Sequence, residues 1–139
     1  MSRKTARRYA LELIFQLPFH SVFDPAEALE AYPEDNLPKI SETERSFVIE
    51  TITGVYSHLD SIDKQIAANS KGWRINRINR VDLAALRLAV YEIRYTDTPV
   101  GISINEAVEL VKLYSTEESG GFVNGILAKV SMDPEVWHA

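Results

Sequence analysis

The amino-acid sequence predicts an all-α protein, a compact bundle of about six or seven helices in two small sub-bundles. Three observations support this fold class. Apolar residues recur at spacings of three and four in several segments, which places them on one helix face. Helix-start patterns precede these segments, and no alternation typical of a strand stands out. With 139 residues, 45% of them hydrophobic, the chain is expected to form a single helical domain over residues 1–139.

Two helices are predicted near the N-terminus. The first runs from about residue 3 to residue 17, where Pro18 ends it because a residue before proline avoids helical geometry. Its apolar face is formed by Ala6, Tyr9, Ala10, Leu13, Ile14 and Leu17. Off that face lie Arg3, Arg7 and Arg8. A short second helix begins at Asp24-Pro25-Ala26-Glu27 and ends before Pro33, since it has an N-cap aspartate followed by proline.

The middle of the chain contains two strong helical patterns. Ser41-Glu42-Thr43-Glu44 is a capping box that predicts one long helix to about residue 68. Gly54 in its interior costs about 1 kcal/mol relative to alanine, which indicates close packing there. Residues 73–78 predict a short helical turn. Residues 81–95 have so complete an apolar face that we expect this helix at the centre of the core.

Two further helices are predicted in the C-terminal part. Ser103-Ile104-Asn105-Glu106 has the pattern of a third capping box, which would open a helix ending near Tyr114. Thr116-Glu117-Glu118-Ser119 opens the last helix, and Asp133-Pro134 ends it. The apolar residues of that helix, facing inward or toward a partner, are Phe122, Ile126, Leu127 and Val130.

The charges are unevenly distributed. A net charge of −5 and a pI of about 5.2 argue against a general nucleic-acid binder. However, four cations precede the first acid: Arg3, Lys4, Arg7 and Arg8. A second basic stretch extends from Lys71 to Arg94. Cations at the start of a helix can follow the phosphates of a single strand, so the N-terminal group is a candidate RNA-binding site.

Patterns of catalytic or metal-binding chemistry are not found in the sequence. None of His20, His58 and His138 has the spacing of a helical metal site, and there is no cysteine. No glycine-rich phosphate loop or nucleophile elbow is present, so we expect neither an enzyme nor a cofactor. No segment approaches a membrane span or a signal peptide, and a cytoplasmic protein without a membrane role is expected.

Three segments carry a resemblance to a known family. The first joins the basic residues 3–7 to the apolar helix of residues 10–16. The second is residues 73–78 followed by residues 81–93. The third comprises Pro99, residues 104–112, residues 114–119 and Phe122-Val123-Asn124-Gly125-Ile126-Leu127. Their order and spacing resemble the NusB family of transcription antitermination factors, whereas residues 18–37 contribute little.

The resemblance implies a function. NusB proteins are all-helical and bind a boxA-type RNA together with NusE, a small-subunit ribosomal protein, so that the transcript is tethered to the transcription elongation complex during ribosomal RNA synthesis. The residues that match the RNA-binding positions are Arg3, Lys4, Arg7, Arg8, Phe15 and Phe122. Those that match the partner surface are Asp82 and Glu118. Gly121 departs from the family, whose members often have a cation at this place.

Alternatives remain open from the sequence. The spacing of Phe15 and Phe122 is equally consistent with ordinary core residues. Glu118 could serve only to stabilise the N-terminus of the last helix. A NusB-like module could assist a separate ribosomal RNA methyltransferase, or a structural helical protein could bind other proteins without an RNA role. A homodimer that covers Phe15 and Phe122 is a further possibility.

Overall fold

The computed structural model describes residues 3–15, 41–70 and 74–133. Within them the chain forms six α-helices, one 3-10 turn and no strands. The helices are α1 (Arg3–Ile14), α2 (Glu42–Ser57), α3 (Leu59–Ala68), α4 (Arg80–Tyr95), α5 (Val100–Tyr114) and α6 (Glu117–Met132), and the 3-10 turn is Ile75–Arg77. The all-α prediction is confirmed. The helix predicted at Asp24, the stop at Pro18 and the position of Trp73 lie outside the described residues.

Helix α4 is the centre of the bundle. It packs against all five other helices, with α1 and α2 paired on one side and α5 and α6 paired on the other. Every residue from Asp82 to Val90 is buried, as the uninterrupted apolar pattern predicted. The two helix pairs form the two sub-bundles, and residues from α1 through α6 share one hydrophobic cluster.

The long helix predicted from Ser41 to residue 68 is wrong in one respect, because it is two helices. The N-terminal capping box forms as predicted: the Ser41 hydroxyl accepts from the Glu44 amide at 3.2 Å, and the Glu44 carboxylate accepts from the Ser41 amide at 3.1 Å. The helix breaks at His58, whose φ of −110° and ψ of 19° leave helical geometry. The His58 ring stacks on the Tyr95 ring at 3.9 Å. The apolar face continues past the break, so the sequence pattern did not reveal it.

Gly54 confirms the close packing that its position predicted. A Cβ atom at this residue would overlap the ring of Tyr91. The missing side chain therefore lets α2 approach the aromatic ring of α4. No helix in the described ranges is both long enough and apolar enough to cross a bilayer.

The start predicted for α5 is wrong, whereas that of α6 is confirmed. Helix α5 begins at Val100 after Pro99, so Ser103 lies inside the helix instead of capping it. The Ser103 hydroxyl donates to the Glu92 carboxylate at 3.0 Å, which explains why a serine is buried there. Helix α6 begins as predicted, with the Thr116 hydroxyl accepting from the Ser119 amide at 3.1 Å.

Candidate nucleic-acid interface

The cations of α1 form two stripes because helix residues three and four apart share a face. Arg3 and Arg7 face Phe47 of α2, with their guanidinium carbons 4.2 Å and 5.9 Å from the ring centroid. Lys4 and Arg8 face α5. Arg3, Lys4 and Arg8 are exposed, whereas Arg7 is buried. The basic end thus presents three accessible cations on two sides of the helix.

The structure corrects the predicted position of Arg7 on α1. The prediction placed it off the apolar face, yet only 6% of its surface is exposed. Its Nε donates to Glu92 Oε2 at 2.9 Å and its Nη2 donates to Oε1 at 3.1 Å. The physical reason is Glu92, itself 2% exposed, because a buried carboxylate needs a paired cation. A second internal ion pair is bidentate too, between Arg87 of α4 and Asp63 of α3.

Lys4 and Arg8 are held by polar groups of α5. Lys4 Nζ lies 3.4 Å from a carboxylate oxygen of Glu106 and 4.0 Å from Glu109. Arg8 Nε donates to the Tyr114 hydroxyl at 3.4 Å, and that hydroxyl donates to Glu12 at 2.7 Å. Burial, followed by the hydrogen bond to Glu12, raises the pKa of Tyr114. A phosphate that reaches these cations competes with weak, solvent-screened contacts.

Phe15 lies between α1 and the start of α4. Its ring is half-buried, and the guanidinium carbon of Arg80 lies 4.6 Å from its centroid. Together with Leu11, Val81 and Tyr114 it lines an apolar cavity of about 300 Å³. The ring therefore borders a surface depression and also packs against the core.

A second cavity, of about 450 Å³, lies at the start of α4 and α6. Half-buried Phe122 and the exposed Arg77 and Glu118 line it. Asp82 also lines it, but only 5% of Asp82 is exposed. The Ser119 hydroxyl donates to Asp82 Oδ2 at 3.1 Å, while Oδ1 has no hydrogen-bond partner among the described residues. Burial raises the pKa of Asp82, and the bond from Ser119 opposes that rise.

The two cavities are neighbours across the first turn of α4. Val81 lines the first, whereas Asn79 and Asp82 line the second. The structure therefore brings Arg8, Phe15, Phe122, Asp82 and Glu118 onto one side of the bundle, although they lie far apart in the sequence. Arg3 lies apart from this group, beside Phe47.

Metal binding would require a cluster of His, Asp or Glu side chains. In residues 3–15, 41–70 and 74–133, no three His, Asp or Glu side chains are grouped to hold a metal ion. His58 is stacked on Tyr95, and His20 and His138 lie outside the described residues. The side chains of the candidate interface carry charged, hydroxyl and aromatic groups.

Comparison with known proteins decides the family. The model of the NusB family matches residues 4–132. The chain belongs to the NusB family. The transcription antitermination protein NusB of Agathobacter rectalis is 42% identical over 130 residues, covering 93% of this chain and 98% of the relative.

Solved NusB structures have the same fold. T. maritima NusB is similar with a TM-score of 0.83 and 31% identity, covering 100% of this chain and 99% of the other. A second similar chain comes from the complex of the antitermination factors NusB and NusE with dsRNA. It has a TM-score of 0.82 and 26% identity, and covers 94% of this chain and 96% of the other. The resemblance to the NusB family is thus confirmed.

Three residues of the candidate interface were not singled out from the sequence. Arg77 lines the second cavity, Arg80 lies over Phe15, and Tyr114 joins Arg8 to the first cavity. A signal existed for the arginines, because Arg74, Arg77 and Arg80 recur every three residues in the basic stretch. The Asn79 side chain accepts from the Val81 amide at 2.8 Å, and this cap starts α4 between the two cavities.

Gly121, the residue before Phe122, is exposed, at the place where the family resemblance leads us to expect a cation. A Cβ atom there would meet nothing within 4 Å, and the same holds for Gly125 one turn later. The surface of α6 is therefore open and without side chains at these two positions.

Proposed function

We propose that this NusB-family chain is a transcription antitermination factor that binds boxA-type RNA together with NusE. The observation that carries the proposal is the row of cationic and aromatic groups from Arg8 past Phe15 and Arg80 to Phe122. Cations suit phosphates, and aromatic rings suit splayed bases. The name of the A. rectalis relative and the solved complex of NusB and NusE with dsRNA support the assignment.

The proposed mechanism is scaffolding without a catalytic step. Arg3, Lys4 and Arg8 bind phosphates, while Phe15 and Phe122 contact bases. Glu118, exposed at the cavity rim, faces a basic ribosomal protein, since complementary charge directs association; Asp82 lies below it at the junction of the two surfaces. RNA and NusE held side by side tether the transcript to the elongation complex in the cytoplasm, where bacterial transcription takes place.

Arg7 has a different role in this proposal from its exposed neighbours. Two N–H groups of Arg7 are bonded to Glu92 and the residue is buried, so breaking that pair to reach a phosphate would leave a buried carboxylate unpaired. Such a change costs several kcal/mol. We therefore assign Arg7 to positioning α1 and leave phosphate contact to the exposed cations.

Binding to a specific RNA tests the proposal. Labelled boxA-type RNA and a scrambled RNA of equal length are titrated with the full chain, with and without NusE, at two salt concentrations. We expect a preference for boxA-type RNA that grows when NusE is present, because a few cations on an acidic protein give limited affinity alone. Equal binding of both RNAs in every condition would rule the function out.

Removing the α5-facing cations provides a residue-level prediction. In Lys4→Ala/Arg8→Ala, two phosphate contacts are lost, so the log–log salt slope becomes shallower by about 1.4. Fluorescence anisotropy across a salt series measures this slope. The matched control is Lys64→Ala/Lys129→Ala, which removes two exposed cations from α3 and α6. An equal change in both variants would mean that only net charge matters and that the assignment of Lys4 and Arg8 is incorrect.

Restoring a cation before Phe122 provides a second prediction. Gly121→Lys is expected to strengthen boxA binding several-fold and to make the salt slope steeper by about 0.7, as one added phosphate contact implies. The control is Gly125→Lys, which adds the same charge in equally open space, about 6 Å further along the helix. Both substitutions remove a helical glycine and should stabilise α6 alike. If Gly125→Lys improves RNA binding as much, Gly121 does not border the RNA.

A further inference from the structure

We propose that Lys112 of α5 provides a further phosphate contact for RNA, and that Gly120, in the first turn of α6, positions the lysine side chain. This inference rests on the proposed RNA-binding function and deepens it. Lys112 was not among the binding residues that the sequence predicted, and it lies in the groove between α1 and α5 rather than in the two cavities described above.

The first observation is the close packing of Lys112 against α6. A Cβ atom added at Gly120 would lie 3.2 Å from both Cγ and Cε of Lys112 and 3.4 Å from Val108 Cγ1. The aliphatic stem of the lysine therefore lies along the backbone of α6, beside the space that a side chain at residue 120 would fill. Gly120 is buried whereas Lys112 is exposed, as expected for a lysine with a packed stem and a solvated ammonium group.

The second observation is that the ammonium group is only weakly held. Lys112 Nζ lies 3.8 Å from Glu117 Oε2, and the two side chains are 43% and 87% exposed. Such exposed ion pairs contribute at most about 1 kcal/mol, so a phosphate can replace Glu117 at little cost. A lysine already packed against Gly120 also loses less conformational freedom on binding than a freely moving one.

The third observation is that Lys112 shares a groove with two cations of the proposed RNA site. Lys4, Arg8 and Lys112 line one groove of about 330 Å³ between α1 and α5, and all three are exposed. A groove lined by cations suits the backbone of a single strand. Through Gly120, Lys112 also connects this groove to the first turn of α6, where Gly121 leaves the expected cation missing.

Two acids in the groove oppose phosphate to different degrees. The half-buried Glu106 lies 3.4 Å from Lys4 Nζ, so its charge is largely compensated. Glu109 is exposed and lies 4.0 Å from the same ammonium group. It therefore repels an incoming phosphate more strongly. Glu109 and Lys112, one turn apart on α5, are expected to have opposite effects on RNA binding.

Lys112→Ala tests the contact in the full chain with labelled boxA-type RNA. We expect a log–log salt slope shallower by about 0.7 and binding about fivefold weaker near 0.1 M salt, as the loss of one phosphate contact implies. Lys112→Arg keeps the charge and should bind RNA as the wild type does. The control Lys64→Ala removes an exposed cation from α3, and an equal loss in that variant would overturn the contact.

Gly120→Leu tests the position of the lysine without changing any charge. The added side chain displaces the Lys112 stem, so RNA binding should weaken as it does in Lys112→Ala. In the Lys112→Ala background the same substitution should have no further effect on RNA binding, because the lysine is already absent. Equal weakening in both backgrounds would mean that Gly120 acts only through the structure of α6, and the positioning role would be overturned.

Glu109→Gln covers the case in which Gly120→Leu fails to fold, as circular dichroism would show. Removal of this exposed acid should strengthen boxA binding and leave the helical content unchanged. The control Asp60→Asn removes the same charge from an exposed position on α3 and should have little effect. Binding by Glu109→Gln that is no tighter than binding by Asp60→Asn would mean that phosphate does not enter the groove, which overturns the contact.

The outcomes separate the inference from the function. If boxA-type RNA is preferred over scrambled RNA but Lys112→Ala binds it as Lys64→Ala does, the contact is overturned and the function stands. If Lys112→Ala weakens only NusE binding, the groove takes a protein partner and the contact is again overturned. Loss of any boxA preference in the wild type overturns both.

Discussion

Glu92→Ala is expected to destabilise the protein by about 3–5 kcal/mol, the usual cost of removing one partner from a buried ion pair. The Glu92 carboxylate accepts from Arg7 Nε, Arg7 Nη2 and the Ser103 hydroxyl. Without it, Arg7, which is 6% exposed, loses the partner of its buried charge. Urea unfolding followed by circular dichroism measures the difference in the free energy of unfolding.

The control is Glu106→Ala, which removes an ion pair with Lys4, whose side chain is 59% exposed. That change should cost no more than about 1 kcal/mol. A rescue variant, Arg7→Met/Glu92→Leu, replaces the buried pair by apolar groups and should recover much of the stability. It should also retain most boxA binding, because Arg3, Lys4 and Arg8 are unchanged and only the preorganisation of α1 is weakened. A rescue variant that folds but no longer binds RNA would show that Arg7 contacts RNA directly.

Gly54→Ala is expected to destabilise the protein by up to about 2 kcal/mol, because overpacking a close contact costs about 1–3 kcal/mol and the helix preference for alanine recovers about 1 kcal/mol of it. The added Cβ atom meets the ring of Tyr91, whose movement is limited by the Tyr95 ring with its centroid 6.0 Å away. This penalty exceeds the preference of about 1 kcal/mol that alanine has over glycine in a helix. Thermal and urea unfolding measure the net effect.

Gly125→Ala is the matched control, because the same atom is added to a helix where it meets nothing within 4 Å. It should stabilise the protein by up to about 1 kcal/mol. Relief of the clash in Gly54→Ala/Tyr91→Leu should recover part of the loss. Stabilisation by Gly54→Ala, equal to that of Gly125→Ala, would contradict the close approach of α2 to α4.

The helices were largely predictable because their signals are local. The capping groups Ser41 and Thr116 and the apolar face of α4 lie within a few residues of the elements that they define. The burial of Arg7 and the start of α5 were mispredicted, and both errors involve Glu92. This carboxylate binds Arg7, 85 residues away in the sequence, and Ser103, 11 residues away. Local periodicity contains no information about such a partner.

The candidate interface was predictable in part. The clustering of charge identified the basic end of α1, and the family resemblance identified Phe15, Asp82, Glu118 and Phe122. Neither revealed that Asp82 lies in a cavity with an unpaired oxygen, because burial depends on how α4 and α6 meet.

The pair between Arg7 and Glu92 has a consequence for the entropy of RNA binding. Consecutive helix residues are about 100° apart around the axis, so a bidentate bond at Arg7 sets the rotation of α1 within the bundle. That rotation determines that Lys4 and Arg8 face α5. The backbone that carries these cations is thus fixed before RNA arrives, and less conformational freedom is lost on association. The Arg7–Glu92 pair does not contact RNA in this proposal, yet it contributes to the affinity for RNA because it fixes the position of α1 in advance.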